Sequence, residues 1–533
     1  MKKLLALLII LGTSFSISQP LSPISPQDST FLRMVQRKAF DFFWNEANPA
    51  NGLIKDRSAT WSPASIASVG FGLSSICVAS DYNWVTREAA ADRVLTTLLT
   101  FWTGPQGYAA SGTIGRLGWF YHFLTMDTKV REWKSELSTI DSGLLLAGII
   151  HAQQYFDGPT QTEKDIRAYA DSIYRRVNFD AARNNGIALN MGWHPETGWL
   201  NQWWIGYNEG MIIYIMALGS PTYPIDPSLW DSWTSGYNFS TYYGYQYVNF
   251  PPLFGHQYSH CWVDFRGIRD KVMSGHGLDY FENSRRATLA QRAYSKANPG
   301  GFKAYSDSIW GITASDVQGG YAARGAPPAQ GDDGTINPTA PGGSIAFAPQ
   351  EGLQALKAMY NNYCVGTETR LWGPYGFRDA FNPQKNWFGT DYIGIDQGPI
   401  VLMIENYFTQ RVWNTFMKSP YIQLGLQRAG FQKVTGVEET KTLPEHFVLS
   451  QNYPNPFNPS TMITYELPHE SLIRMTVHDV LGREVETLVN GTQSAGVHQI
   501  SFTPGTRALS SGVYFYTLTT EQISITKRMI LVK

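Results

Sequence analysis

Cysteine is nearly absent. Cys77, Cys261 and Cys364 are the only three in 533 residues, far apart and odd in number, so at most one internal disulfide can form. No C-x-x-C pair exists to build a zinc ribbon or a redox site. Charge is also scarce, at 16% of residues, and 42 basic side chains nearly balance 43 acidic ones. That balance excludes the basic surface of a nucleic-acid binder. Beyond the first twenty residues there is no run of eighteen apolar residues, so no membrane-spanning helix is expected. The G-x-S-x-G elbow, the H-E-x-x-H zinc motif and the phosphate-cradling G-x-x-x-x-G-K-[ST] loop are all missing. "SGHGLD", around Gly275 and Gly277, lacks the third glycine and the preceding strand of a dinucleotide fold.

Aromatic rings are abundant, at 14%, which suits a large core plus a ring-lined groove. The opening "MKKLLALLIILGTSFSISQP" has two lysines, an apolar run from Leu4 to Leu11 and small residues at Ser16 and Ser18. This is the layout of a secretory signal peptide over residues 1–18. Residues 28–430 read as helical. In "FLRMVQRKAFDFFW", Phe31, Val35, Ala39 and Phe42 share one face, and "DSGLLLAGIIHAQQYF" is apolar nearly all round at its start. Other helices are expected over 63–79, 86–103, 160–176, 207–218, 266–295, 349–363 and 399–412. Long Gly-, Pro- and Trp-rich loops separate them, and loops of that length are usually functional. Paired helices with long aromatic loops fit a mainly α (α/α) barrel.

A linker over 431–446 and the proline-rich "YPNPFNPST" mark a change of pattern. From 447 to 533 the chain alternates with a period of two. In "LIRMTVHDV", Ile473, Met475 and Val477 interleave with Arg474, Thr476 and His478, as in the half-buried strands of a small antiparallel β-sandwich. Tyr514 and Tyr516 suit cross-strand packing better than a carbohydrate-binding surface.

The candidate chemistry is carboxylates beside rings. Glycoside hydrolysis needs an acid for the leaving oxygen and a carboxylate acting on water or as nucleophile, while aromatic faces pack on sugars. In "GWLNQWWIGYNEGMI", Glu209 follows Trp203, Trp204 and Tyr207 at a helix start, where burial would raise its pKa as a general acid needs. Asp141 stands where a loop meets an apolar helix, as an N-cap or as a second carboxylate, and Glu136 precedes it as a supporting group. Asp396 lies on a loop edge before Pro399, and Glu405 lies inside an apolar helix where it needs a partner. "NGLIKDRSATW" and "GWFYHFL" offer Asp56, Arg57, Trp61, Trp119, Tyr121 and His122 as binding groups. His256 and His260 have a spacing that could hold a metal, but no acidic third ligand follows, so packing or a substrate hydrogen bond at His260 is expected and metal binding is not. Asp141, Glu209 and Asp396 each sit at a loop-to-helix junction. In a barrel of parallel inner helices such junctions gather at one end.

The motifs "GLIKDRS", "GRLGWFYHFL", "ELSTIDSGLLLAG", "GWLNQWWIGYNEGMIIYIMALGSP", "QYSHCWVDFRGIRD" and "WGITASDVQGGYAARGAPP" resemble the glucoamylase-like family of bacterial proteins that includes endo-β-1,2-glucanases. The resemblance implies an (α/α)6 barrel that hydrolyses β-linked glucans, β-1,2-glucan foremost, without a cofactor. It implies an acidic pocket shared by Glu136, Asp141 and Glu209, with Asp264 and Arg266 facing the same region. The tail, through "NYPNPFNPSTMITYELP", "VHDVLGREVETLVNG" and "GVYFYTL", resembles the C-terminal sorting domain of type IX secretion. It implies export to the surface or the medium by that machinery. The expectation is a secreted, monomeric endo-β-glucanase with Glu209 as acid and Asp141 or Asp396 as base. A polysaccharide lyase and a non-catalytic glycan-binding surface protein are the alternatives.

Overall fold

Helix Ile66–Asp81 is buried on every face from Ile66 to Ser80, and helix Met211–Gly219 is buried throughout. Helices Thr139–Tyr155 and Gly394–Thr409 are buried along most of their lengths. A helix that is apolar all round must be enclosed by others. The structure, a computed structural model, describes residues 24–366, 368–434, 447–452, 454–504 and 509–532. The expected signal peptide and most of the expected linker lie outside those residues. The chain divides into two units, Met1–Lys433 and Val434–Lys533.

In the first unit the four buried helices and three short segments form a closed inner ring. Thr139–Tyr155 packs between Ile66–Asp81 and Met211–Gly219. Ile212 N–H donates to Ser259 Oγ (3.2 Å), and Gln257 donates to Ala340 O (2.7 Å), so the turns Leu253–His256 and Ser259–Cys261 and the helical turn Thr339–Gly342 continue the ring. Gly394–Thr409 packs on Thr339–Gly342 and on Ile66–Asp81, which closes it. Outside lie amphipathic helices with one buried face each, among them Pro26–Asn45, Arg87–Thr103, Gln161–Arg176, Tyr280–Ala297 and Pro349–Tyr363. This is an (α/α)6 barrel. Cys77, Cys261 and Cys364 are all buried and unpaired.

Two inner helices touch through glycine. A Cβ on Gly148 would stand 2.1 Å from Gly70 O, and one on Gly70 2.2 Å from Leu144 O. Both obstacles are backbone and cannot rotate away. Gly148→Ala is therefore expected to destabilise the barrel by about 1–3 kcal/mol through overpacking, read as a lower denaturant midpoint at unchanged slope.

Three expected helices have different limits. The one expected over 266–295 is two, Lys271–Gly275 and Tyr280–Ala297. Gly277 turns the chain at φ +67°, and Asp279 caps the second helix by accepting from Glu282 N–H (2.7 Å). The helix expected from 207 begins at Met211, because the Asn208 side chain bonds Gly206 O and Gly210 N–H and holds the preceding residues in a turn. The helix expected from 399 begins at Gly394 and takes Pro399 into its second turn, where proline forgoes only its bond to Ile395.

Short strands tie the N-terminal ends of the inner helices together. Ala64–Ser65 pairs with Phe123–Leu124, Tyr121 bridges to Leu137, and Arg57 bridges to Ile393.

The second unit is a small antiparallel β-sandwich. One sheet joins Val448–Leu449, Thr461–Leu467 and Gly496–Phe502; the other runs in the order Glu484–Gln493, Ser471–His478, Gly512–Thr519, Ser524–Leu531. Ile473, Met475 and Val477 point into the core, where Ile463, Tyr465 and Phe502 of the facing sheet meet them. Tyr516 is fully buried, with its hydroxyl donating to Ser450 O and accepting from Asn452 N–H, so it packs and does not face ligand.

Candidate active site

A cavity of about 750 Å³ opens where the inner-helix N-termini meet. Asp141 and Leu144 reach it from Thr139–Tyr155, Ser65 from the cap of Ile66–Asp81, Ile395 from Gly394–Thr409, and Glu209 from the turn before Met211–Gly219. Helix N-termini favour negative charge, which suits carboxylates placed there.

Asp141 is in the first turn and is not the cap. Ser138 is the cap: its hydroxyl accepts from Asp141 N–H (3.2 Å) and donates to Asp141 Oδ2 (2.5 Å). This reciprocal pairing fixes the carboxylate's rotamer. His122 stands beside it, with Nε2 3.7 Å from Asp141 Oδ2 and Nδ1 2.9 Å from Glu136 Oε1. Burial alone would lower the His122 pKa, but Asp141 and Glu136 push it up to about 9. Burial raises the Glu136 pKa, yet its bond to His122 and the imidazolium charge hold it lowered overall. Glu136 is thus behind His122 and off the cavity wall. These three residues bring ligand-type atoms within 4.8 Å of one another. His122 lies within ion-pair distance of both carboxylates, 2.9 Å from Glu136 and 3.7 Å from Asp141.

Glu209 has the opposite character. Its Oε2 is shielded from solvent and has no hydrogen-bond partner among the described residues. Burial pushes its pKa up to about 7, a backbone hydrogen bond opposing the rise and the nearby Asp141 charge adding to it. At neutral pH a large share of this carboxyl carries its proton.

Arg57 anchors the other wall. It holds Asp316 with both oxygens (3.0 and 3.2 Å), Asp56 at 3.2 Å and Asp391 at 3.5 Å. Burial would lower its pKa, but Asp316 and Asp56 more than reverse that. Asp396 does not line the cavity. It is 2% exposed and hydrogen-bonds the carboxyl of Asp379, which in turn accepts from Asp316 N–H (2.7 Å). Burial raises both pKa values, that of Asp379 to about 7, with the neighbouring carboxylates adding to the rise. Glu405 is far from the site and bonded to Arg33 (2.8 Å), Gln36 and Tyr82.

Most of the expected sugar-facing rings are scaffold. Trp204 Nε1 donates to Thr139 Oγ1 (2.9 Å) and its carbonyl accepts from Tyr214, so it braces the Glu209 turn. Tyr207 lies among Trp233, Tyr237, His256 and Tyr280, with its hydroxyl 3.3 Å from Ser284. Trp203 is partly buried and off the cavity wall, beside Gly186. Trp119 donates to Asn178 O and packs edge-on to Phe179. Tyr121 is fully buried under the Arg131 guanidinium. His260 bonds Ser284 (3.0 Å) between Phe265 and Phe347. Burial lowers its pKa, and that of His256 to about 3, so both are neutral packing residues. Asp264 and Arg266 pair with each other (2.8 Å), with Arg266 over Trp413, and neither lines the cavity. Sequence reading singled out neither Asp316, Tyr258 nor Tyr321, all on the wall; "WGITASDVQGGYAARG" holds two of them without marking either.

A family model described as "Putative glucoamylase" matches residues 201–420. A crystal structure from Bacteroides uniformis bearing the same description superposes with TM-score 0.70 at 34% identity, over 78% of this chain and 99% of that one. The chain belongs to the glucoamylase-like family. An endo-beta-1,2-glucanase from Chitinophaga pinensis, solved with sophorotriose and glucose, is similar at 29% identity and TM-score 0.70, over 77% of this chain and 99% of that one. A curated relative from Parabacteroides distasonis, an exo beta-1,2-glucooligosaccharide sophorohydrolase (non-reducing end), is 30% identical over 435 residues, 75% of this chain. The chain spans 58% of that relative's length. Residues 451–533 match the secretion system C-terminal sorting domain, which marks this family member as secreted or held at the cell surface. Among the described residues no helix is long and apolar enough to cross a membrane.

Proposed function

We propose that the protein is a glycoside hydrolase that cleaves internal bonds of a β-1,2-glucan, exported through its sorting domain by the type IX machinery. The observation that carries this reading is the pairing in one cavity of Glu209, whose Oε2 is shielded, with Asp141, whose carboxylate is held by Ser138 and faced by His122. Glu209 protonates the glycosidic oxygen as the bond to the anomeric carbon breaks. Asp141 orients the attacking water and takes its proton. Glu136 positions His122. Asp56 and Arg57, set by Asp316, address sugar hydroxyls, since charged groups fixed by one another can hydrogen-bond a ligand without reorganising. Asp396, enclosed with Asp379, shapes the wall and is not the base. The Chitinophaga and Parabacteroides relatives, both named for β-1,2-glucan chemistry, support the linkage, and the former supports the endo mode.

The test is reducing-end release by the full chain from β-1,2-, β-1,3-, β-1,4- and β-1,6-glucans. Mixed oligosaccharides from the β-1,2 polymer alone are expected. Sophorose as the sole product would replace the endo mode with an exo one. An unsaturated, ultraviolet-absorbing product from a uronate polymer, with every β-glucan intact, would make the protein a lyase.

A further inference from the structure

Two tryptophans at the cavity mouth have no part in the chemistry above. Trp61 is 64% exposed and Trp133 55% exposed, their rings 5.9 Å apart, and both line the cavity. The row continues inward: Phe123 lies 5.2 Å from Trp133, and His122, beside Asp141, stacks on Phe123 at 3.9 Å. A single exposed ring is ordinary, but a row of rings continuous with a ligand-sized cavity is the form of a binding surface.

The protein also holds Trp133 in place deliberately. Trp133 and Lys134 both have φ +53°, a left-handed conformation that bulky residues rarely adopt. Arg131, its side chain 1% exposed, donates to this turn from Nε to Ser135 O (2.6 Å) and from Nη2 to Lys134 O (2.8 Å), and ties it to a distant loop from Nη1 to Ala110 O (3.2 Å). Glu196 neutralises it through two bonds (2.7 and 3.0 Å), and the Tyr121 ring lies beneath at 4.9 Å. This buried structure presents a tryptophan to solvent. An aromatic fixed in advance loses little freedom when a ligand packs on it. Trp61 is carried by the loop that bears Arg57, whose guanidinium lies 5.9 Å from its ring.

We propose that Trp61 and Trp133 form a distal sugar-binding subsite for the stretch of glucan chain that runs out of the cavity, so that long chains bind better than those confined to the carboxylates. The proposal rests on the β-glucan reading. It is tested by calorimetric titration of linear β-1,2-glucan and of sophorose into two proteins. One is Glu209→Gln, and the other adds Trp61→Ala and Trp133→Ala to it. The added changes are expected to weaken binding of the long chain about tenfold, near 1.4 kcal/mol, and that of sophorose less. Equal affinity of the two proteins for the long chain would overturn the subsite. So would no binding of the long chain by Glu209→Gln, even where the unmutated protein cleaves it. Length-dependent binding that needs the tryptophans, in a protein that cleaves nothing, would sustain the subsite and sink the hydrolase.

Discussion

Glu209→Gln is expected to lower kcat/KM on the glucan about 10³-fold, within the range that a general acid contributes, and to leave the fold intact. Glutamine keeps the shape and removes the transferable proton. Glutamine can keep the backbone hydrogen bond that the carboxyl accepts, Oε2 has no partner among the described residues, and the turn is held by Asn208, by Ser259 Oγ–H donating to Glu209 O (3.3 Å) and by Trp204 on Thr139. Kinetics paired with a thermal melt checks this. A melting point that fell in step with activity would make the loss structural, and activity within tenfold of the unmutated protein would remove Glu209 from the acid role.

Arg57→Met is expected to cost about 2–3 kcal/mol of stability at neutral pH, at or below the bottom of the roughly 3–5 kcal/mol range for breaking a buried pair because the open cavity screens it. It leaves Asp56, Asp316 and Asp391 facing one another without their shared cation. Burial already raises the Asp56 and Asp316 pKa values against the pull of Arg57, and losing Arg57 raises them further. Carboxyls with folded pKa values above their unfolded ones favour the fold at low pH, and that advantage goes as pH rises through the folded values. The melting-point deficit of the variant is therefore expected to be small near pH 4 and to grow towards pH 8. A deficit equal at both would mean that the lost contribution is packing and not charge.

The helical barrel was legible because its inner helices need runs such as "GLLLAGII" and "MIIYIMALG", which only enclosure satisfies. Junctions gathering at one end of such a barrel brought Asp141 and Glu209 to one cavity, whereas Asp396, the third junction residue, stands inside its wall. Proximity along the chain to Glu209 did not put Trp203, Trp204 or Tyr207 on the cavity: Trp204 braces Thr139, Tyr207 packs among Trp233, Tyr237 and Tyr280, and Trp203 lies beside Gly186. Asp379 and Asp316 left no local signal, since their approach to Asp396 and Arg57 is set by closure of the ring across distant segments. Trp133 was hidden for a related reason, because the turn that presents it is held by Arg131 bonding the carbonyls of Lys134 and Ser135 just after it.

The pH dependence of kcat/KM on β-1,2-glucan tests most directly whether the shielded Glu209 carboxyl donates the proton. A donor raised by burial to about 7 predicts activity that falls as pH rises through that value. A profile that stays level past pH 7 and falls only near 9, where His122 loses its proton, would contradict the account and make the imidazolium the donor.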